Sequence, residues 1–483
     1  MGVNIVDAIR ETADAQPDHP ALIEGQQVIS YRRMIERVDV LVGRLVQAGV
    51  GNGMGVGVMG HNSAEFICHA LAVMQCGAVV LPVSHNLKAD ELERLCRSTG
   101  LHLLWDDRIA TLPEHWEMKA ETQVEEGWRL TRNPFAVDGR KLLDHVEGPA
   151  LIRFTSGTTG TAKGVIISHT GIIERIAAAN RKLNLGPGDT VIWVLSMAYH
   201  FVVSIVLYLR YGATICICSE FLADVILDDI ERCKGTFLYA SPMHIRMLAG
   251  DRTERQMDSV HTVISTSTGI SARDCRAFFE RYGKPVSQAY GIIEIGLPIL
   301  NDTDSVGTPE AVGYALPDYE VSILDANGEV LPDGEIGHLA IRGPGMFSAY
   351  LDPPIVRQDV LRHGYFLTGD LATKDDGLIQ IAGRRKSMIN VSGNKVFPEE
   401  VEEVLNAHPE VVQSRVSGYA HPILTEGVQA EVVLMPGARI EQEELISYCR
   451  KRLSMYKVPQ RITVVSGLPM TDSGKIIRHS DDR

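Results

Sequence analysis

None of the eight cysteines pairs with another as CxxC, and none stands with histidines at a zinc-holding spacing. A zinc ribbon or finger is thereby excluded, and buried free thiols are the expectation, Cys216 and Cys218 on one face of a strand among them. Reduced thiols point to the cytoplasm. Basic excess is also missing. The chain has 47 Lys+Arg against 61 Asp+Glu, a formal net charge of −14, which argues against a nucleic-acid partner. No basic leader followed by an apolar core opens it; MGVNIVDAIRETADAQ reads as an amphipathic helix. Internal repeats and low-complexity tracts are absent. Residues 191–209, VIWVLSMAYHFVVSIVLYL, lack Asp, Glu, Lys and Arg. His200 interrupts that run and β-branched residues crowd its ends, so it reads as a buried strand, a turn and a buried helix, not a membrane insertion.

What is present is alternation. GVGVM (55–59), SAEFICHALAVMQC (63–76), AVVLPV (78–83) and ADELERLCRSTG (89–100) run strand, helix, strand, helix, the signature of parallel βαβ units. Strands recur at TVIWVL (190–195), ATICIC (213–218), TFLYAS (236–241) and TVISTS (262–267). Beyond about residue 310 short strands take over, with hairpins expected at Asn327-Gly328 and Asp333-Gly334. From about residue 386 a small α+β unit is expected, with helices over 398–409 and 441–455 and a strand pair over 411–435.

Two phosphate motifs fail. Gly55-Val-Gly57-Val-Met-Gly60 matches GxGxxG, but its glycines lie inside the strand and no acidic residue follows near 75–83. TSGTTGTAKG, residues 155–164, is not the Walker loop, because Ala162 and Gly164 occupy positions that motif reserves for glycine and a hydroxyl. It nonetheless has the makings of a phosphate grip. Apolar strands flank it, and its glycines, Gly157 among them, allow close backbone approach. Thr155, Ser156, Thr158 and Thr159 add hydroxyl donors, and Lys163 adds a mobile charge.

TSGTTGTAKG resembles the phosphate loop of the adenylate-forming superfamily, which includes acyl-CoA synthetases, peptide-synthetase adenylation domains and luciferases. The likeness continues in order through Tyr290-Gly-Ile-Ile-Glu294, Leu367-Thr-Gly-Asp370, Gly383-Arg-Arg-Lys386 followed by VSGNKVFPEEVE, and Pro469-Met-Thr-Asp-Ser-Gly-Lys475-Ile-Ile-Arg. It implies an α/β fold: a large N-terminal body of βαβ sheet layers with a small barrel-like β part (1–385), then a small mobile α+β C-terminal domain (386–483). It implies ATP, Mg²⁺ and, as the leading acceptor, coenzyme A. A carboxylate would attack the α-phosphate of ATP, and a thiol would then displace AMP.

The same resemblance assigns roles. Glu294 is the expected Mg²⁺ ligand and Lys475 the cation on the α-phosphate, with His200 as a third catalytic candidate. Thr268, Gln288, Ala289, Tyr290, Gly291, Asp370 and Arg384 are expected around the nucleotide, Asp370 on the ribose hydroxyls and Tyr290 against adenine. Lys386 is the expected hinge. Tyr199, His200, Ser204, Gly269 and Gly393 are expected along the acid pocket or transfer channel. Plainer readings stand beside these: Asp370 as a turn cap, Arg384 as a solvated charge, His200 as a core histidine bonded to a carbonyl.

The chain departs from the family pattern twice. Ile293 replaces the usual threonine before Glu294, removing one donor. Ser265-Thr-Ser-Thr268 replaces a glycine-containing wall, which implies a narrower or more polar acid pocket. No acidic residue occurs from 191 to 219, which disfavours an amino acid and favours a small non-amino acid, aryl or aliphatic. A carrier-protein thiol, an amine acceptor, a catalytically impaired nucleotide binder and assembly as a homodimer all stay open on sequence.

Overall fold

The computed structural model describes residues 2–107, 116, 122–125, 127, 128–136, 143, 145–154, 164–303, 305–384, 387–391, 394–421, 425–470 and 476–477. Apolar runs such as GVGVM and AVVLPV carry no polar face, so strands built from them must be covered on both sides. Gly55–Gly60 and Val79–Ser84 are buried along their whole length and pair in parallel. They sit in a nine-stranded sheet in which Val79–Ser84 neighbours Pro149–Phe154, and that strand pairs antiparallel with Gly164–Ser168. A second nine-stranded sheet holds Ser287–Ile292, Thr262–Ser265, Phe237–Ala240, Thr190–Trp193, Thr214–Ile217 and Pro20–Glu24 side by side, all parallel.

Between the sheets runs the helix Ala64–Gln75, touching strands of both. Apart from Glu65 it has no charged residue, and ten of its 12 residues are buried. A helix apolar all round is stable only inside a core. Ser63 caps its first turn, accepting from the Phe66 N–H. The run 191–209 becomes the strand Thr190–Trp193, a loop, a π-helical turn Phe201–Val206 and a short helix Leu207–Arg210. No helix among the described residues is long and apolar enough to cross a membrane.

Glu320–Leu324, Gly337–Arg342, Phe366–Asp375 and Leu378–Arg384 form a four-stranded antiparallel sheet, the barrel-like part. The hairpin expected at Asn327-Gly328 forms, with Gly328 at positive φ and Leu324 bridging Val330 antiparallel. The one expected at Asp333-Gly334 is corrected: Gly334 also adopts positive φ, but within the same connection between Glu320–Leu324 and Gly337–Arg342. The Gly334 N–H is drawn away to the Lys374 carbonyl, so the second turn docks on a neighbouring strand. Residues from Ile389 onward have their own five-stranded sheet, the helices Pro398–Asn406 and Gln442–Arg450, and a separate apolar core including Val401, Leu405, Val416 and Leu445.

The expectation of free thiols needs a second correction. Cys216, on Thr214–Ile217, is bonded to Cys233, the last residue of the helix Ala223–Cys233. A strand and the helix that returns over it bring together cysteines 17 residues apart, which no CxxC search detects. Cys218 remains a buried thiol.

Three buried histidines are held neutral. Burial lowers the pKa of His69 to about 3, and of His169 and His244 to about 4. His169 Nδ1 accepts the Ile5 N–H, which a neutral ring allows. The unfolded chain takes up protons below its ordinary imidazole pKa of about 6.5, whereas the native chain resists, so stability is full above that pH and falls as pH drops toward 4. Each of the two groups at about 4 accounts for roughly 3 kcal/mol over that window. Denaturant unfolding at pH 7.5, 5.5 and 4.5 should show that decline, and His169→Gln should flatten it; an unchanged slope would remove His169 from the account.

Candidate active site

In open sheets of parallel strands, ligands collect outside the strands' carboxyl ends. Thr190–Trp193, Thr262–Ser265 and Ser287–Ile292 run the same way, and the loops that leave them carry Ser196–His200, Thr266–Gly269 and Ile293–Glu294. The topology thus brings three of the singled-out segments to one edge.

Asp370 is 6 % exposed, and a carboxylate so placed needs partners. It has two: the Tyr290 hydroxyl donates to Oδ2 at 2.6 Å, and Arg384 Nε donates to Oδ1 at 3.1 Å. The pairing is built by register, since Asp370 faces Arg384 across two antiparallel strands. Burial first, then the Asp370 charge, push the Tyr290 phenol well up, so it stays a donor. Gly369 at φ +84° turns the chain just before, and the Thr368 hydroxyl accepts the Asp370 N–H. Each carboxylate oxygen keeps acceptor capacity beyond its present partner, which suits a pair of vicinal hydroxyls. Arg384 is therefore no loose surface charge, and Asp370 is a strand residue rather than a turn cap.

Glu294 follows the same strand by one turn. Its carboxylate accepts the Tyr350 hydroxyl at 3.2 Å, and its carbonyl accepts the Phe347 N–H at 2.8 Å. The fully buried Arg175 fixes this turn, donating Nη1 to the Ile293 carbonyl at 2.9 Å and Nε to the Gly345 carbonyl at 2.8 Å. Burial lowers its pKa to about 10, which leaves it cationic at neutral pH. Gly345, at φ +66°, has no room for a side chain: a Cβ would lie 2.5 Å from the Arg175 nitrogen. The Ile293 side chain packs on the main core, so the position takes hydrophobic burial where the family places a hydroxyl. A partly exposed carboxylate oxygen at Glu294 fits a hard cation such as Mg²⁺, which binds through one or two carboxylates and keeps several waters.

The loop after Thr190–Trp193 is held from two sides. Asn62 donates to the Leu195 carbonyl at 2.7 Å and accepts the Met197 N–H at 2.9 Å. Arg153 donates to the Ala198 carbonyl and lies 4.6 Å from the centre of the Tyr199 ring. His200 Nε2 meets the Ser267 hydroxyl at 3.2 Å, which ties it to a side chain of the facing wall. Ser267 sits at φ +80°, a region that favours glycine. At Ser267 the wall thus carries a hydroxyl on a backbone held in the conformation that favours glycine. A π-helical turn follows His200 directly; such turns are frequent at functional sites.

Other expected contacts turn inward. Gln288 accepts the Ile270 N–H and donates to the Glu310 and Ala311 carbonyls, so its amide is committed to the fold. The Ser204 hydroxyl donates to the His200 carbonyl and is 2 % exposed, so it braces the π-turn instead of lining a channel. Ala289 is buried, whereas Thr268, Gly269 and Gly291 face solvent. Thr155, Ser156, Gly157, Thr158, Thr159, Lys163, Lys386, Gly393 and Lys475 lie outside the described residues. The feet of their loops do not. Phe154 pairs with Gly164 beneath the first, and Met470 bridges Ile476 beneath the last. Sequence reading missed Arg153, hidden in a strand that otherwise looks apolar, and Arg175, hidden in an ordinary helix.

Comparison with known proteins agrees with this geometry. The model for AMP-binding enzymes matches residues 9–351, and that for the AMP-binding enzyme C-terminal domain matches residues 400–475. Sulfoacetate–CoA ligase of Cupriavidus necator is 27 % identical over 96 % of this chain and 94 % of its own length. Feruloyl-CoA synthase of an Amycolatopsis species is 29 % identical, with 96 % of each chain covered. ATP-bound MatB from Rhodopseudomonas palustris superposes with a TM-score of 0.85 at 27 % identity, covering 99 % of this chain and 97 % of that one. The amide bond synthetase McbA from Marinactinospora thermotolerans gives 0.83 at 26 %, covering 98 % of each. These likenesses define an adenylate-forming ligase of the acyl-CoA synthetase type. The chain belongs to the AMP-binding enzyme family.

Asp370→Ala should strand Arg384 and the Tyr290 hydroxyl and weaken AMP binding by about tenfold or more, read by calorimetry; unchanged affinity would take Asp370 out of the nucleotide site. Ser267→Gly should remove positive-φ strain and raise stability by about 1 kcal/mol. A lower melting temperature would show that the His200 hydrogen bond outweighs the strain.

Proposed function

We propose that the protein activates a small non-amino carboxylic acid with ATP and passes the acyl group to coenzyme A. In the first step a carboxylate oxygen attacks the α-phosphorus, and the bond to the bridging oxygen breaks with pyrophosphate leaving. In the second the coenzyme A sulfur attacks the acyl carbonyl, the carbon–oxygen bond to AMP breaks, and the thiol proton passes to solvent. Two anions must meet in the first step, so placement and charge neutralisation are most of the catalysis.

The observation that carries this reading is that one strand and its turn supply both Tyr290, bonded to Asp370 and Arg384, and Glu294. Asp370 accepts the ribose hydroxyls, and Arg384 and Tyr290 hold its carboxylate in place. Glu294 would hold Mg²⁺, which would supply positive charge to offset that of the phosphates. The loop 155–163 grips the polyphosphate through its hydroxyls and Lys163. Lys475 brings a flexible cation to the α-phosphate. The unit from residue 386 turns about Lys386 between the two steps, and Gly393 then lines the channel for the thiol, a conformational step of the kind that often limits turnover. His200, beside Ser267, faces the acid.

Coenzyme A is favoured as acceptor because the curated relatives named above are CoA ligases. An amine acceptor is the second reading, and the likeness to an amide bond synthetase supports it. Exchange of labelled pyrophosphate into ATP should depend on the acid supplied. Lys475→Ala should lower it by about a hundredfold or more without changing the melting temperature; full exchange in that variant removes Lys475 from its role. Mass analysis of the product formed from coenzyme A, a carrier protein or an amine decides the acceptor.

A further inference from the structure

Arg153 is a charged residue in an unusual place. It is the penultimate residue of the strand Pro149–Phe154, immediately ahead of the phosphate loop, and every other residue from 149 to 154 is apolar. Its guanidinium reaches away from its own sheet to the segment after Thr190–Trp193, where Nη1 donates to the Ala198 carbonyl and the head lies 4.6 Å from the Tyr199 ring centre. Burial lowers its pKa to about 10, and among the described residues the Tyr199 phenol is the group that partly offsets this. Among the described residues no carboxylate pairs with Arg153.

A desolvated cation without a counter-charge is costly, and folded proteins pair such groups or use them. The other enclosed arginines follow the rule differently. Arg175 gives its donors to two backbone carbonyls and has Glu294 among its favourable charges, and Arg129 is paired with the buried Asp106. Arg153 has five N–H donors and, among the described residues, one acceptor. A planar fork with donors to spare is suited to a carboxylate or sulfonate.

We propose that Arg153 is an anion-binding residue of the acid site, and that the preferred acid is short and carries a second anionic group, a carboxylate or sulfonate, seated against Arg153 and the Tyr199 ring. The inference rests on the reading that Ser196–His200 lines the acid pocket. The other walls agree with a short polar acid: Ser267 projects a hydroxyl where glycine conformation is required, and it closes on His200. Asn62 holds the loop at Leu195 and Met197, so the Ala198–Tyr199 segment is positioned before any acid arrives.

The test is acid-dependent pyrophosphate exchange by the full-length protein, with matched acids: malonate against propionate, and succinate against butyrate. The wild type should favour the dianionic member of each pair. Arg153→Met should lower kcat/KM for that member by about 10- to 100-fold, mainly through KM, while changing that for the monoanionic member far less. Arg153→Lys, which keeps the charge but loses the fork, should retain part of the preference. A wild-type preference for the monoanionic acids overturns the proposal without touching adenylation. So does an equal loss with every acid in Arg153→Met, the outcome expected of a loop clamp; a rise in the KM for ATP in that variant would mark a polyphosphate contact instead. No exchange with any acid would overturn the proposed function itself.

Discussion

The site depends on one buried guanidinium. Arg175 stands in the helix His169–Leu183 and ties together two backbone segments that belong to different sheets. The Ile293 carbonyl ends the strand-and-turn of one sheet; the Gly345 carbonyl lies just before Ala349–Tyr350, which joins the other beside Gly164–Ser168. Glu174, the preceding residue, accepts the Gly345 N–H. Tyr350 can meet Glu294 because both segments are gripped by neighbouring residues of one helix. Carbonyl groups buried without donors cost more than the hydrogen bonds themselves contribute, so removing this head would loosen both segments at once.

Much of the architecture is written locally. Alternating apolar runs and capped helices announce parallel layers, and the all-apolar helix over 64–75 announces that it lies between them. The chemistry of Tyr290, Glu294, Asp370 and Arg384 is also legible, since ordered motifs name them. Their geometry is not. That Asp370 and Arg384 face each other is a property of strand register, and that Tyr290 spends its hydroxyl on Asp370 is a property of packing.

The misreadings share a cause. A pattern of polarity assigns a residue to a face but not to a partner. Ser204 and Gln288 look available because serine and glutamine are polar, yet both complete backbone hydrogen bonds inside the protein. Cys216 looks like a lone thiol because Cys233 arrives from a helix that folds back over the strand. Arg153 looks like an intruder in a hydrophobic run because its destination, the Ala198 loop, belongs to another sheet.

Arg384 has a position whose mechanical meaning goes beyond its contact. It ends the strand Leu378–Arg384, one residue before the stretch 385–386 that precedes the small unit's first strand. Its side chain holds the carboxylate that would receive the sugar, while its main chain leads toward the proposed hinge at Lys386. The residue before it in the same strand is also closely packed: a side chain at Gly383 would strike Phe397 and Glu399 of the small unit. If the chain turns at Lys386 as proposed, torque there would reach Asp370 through a single residue, and release of AMP and swinging of the tail need not be separate events.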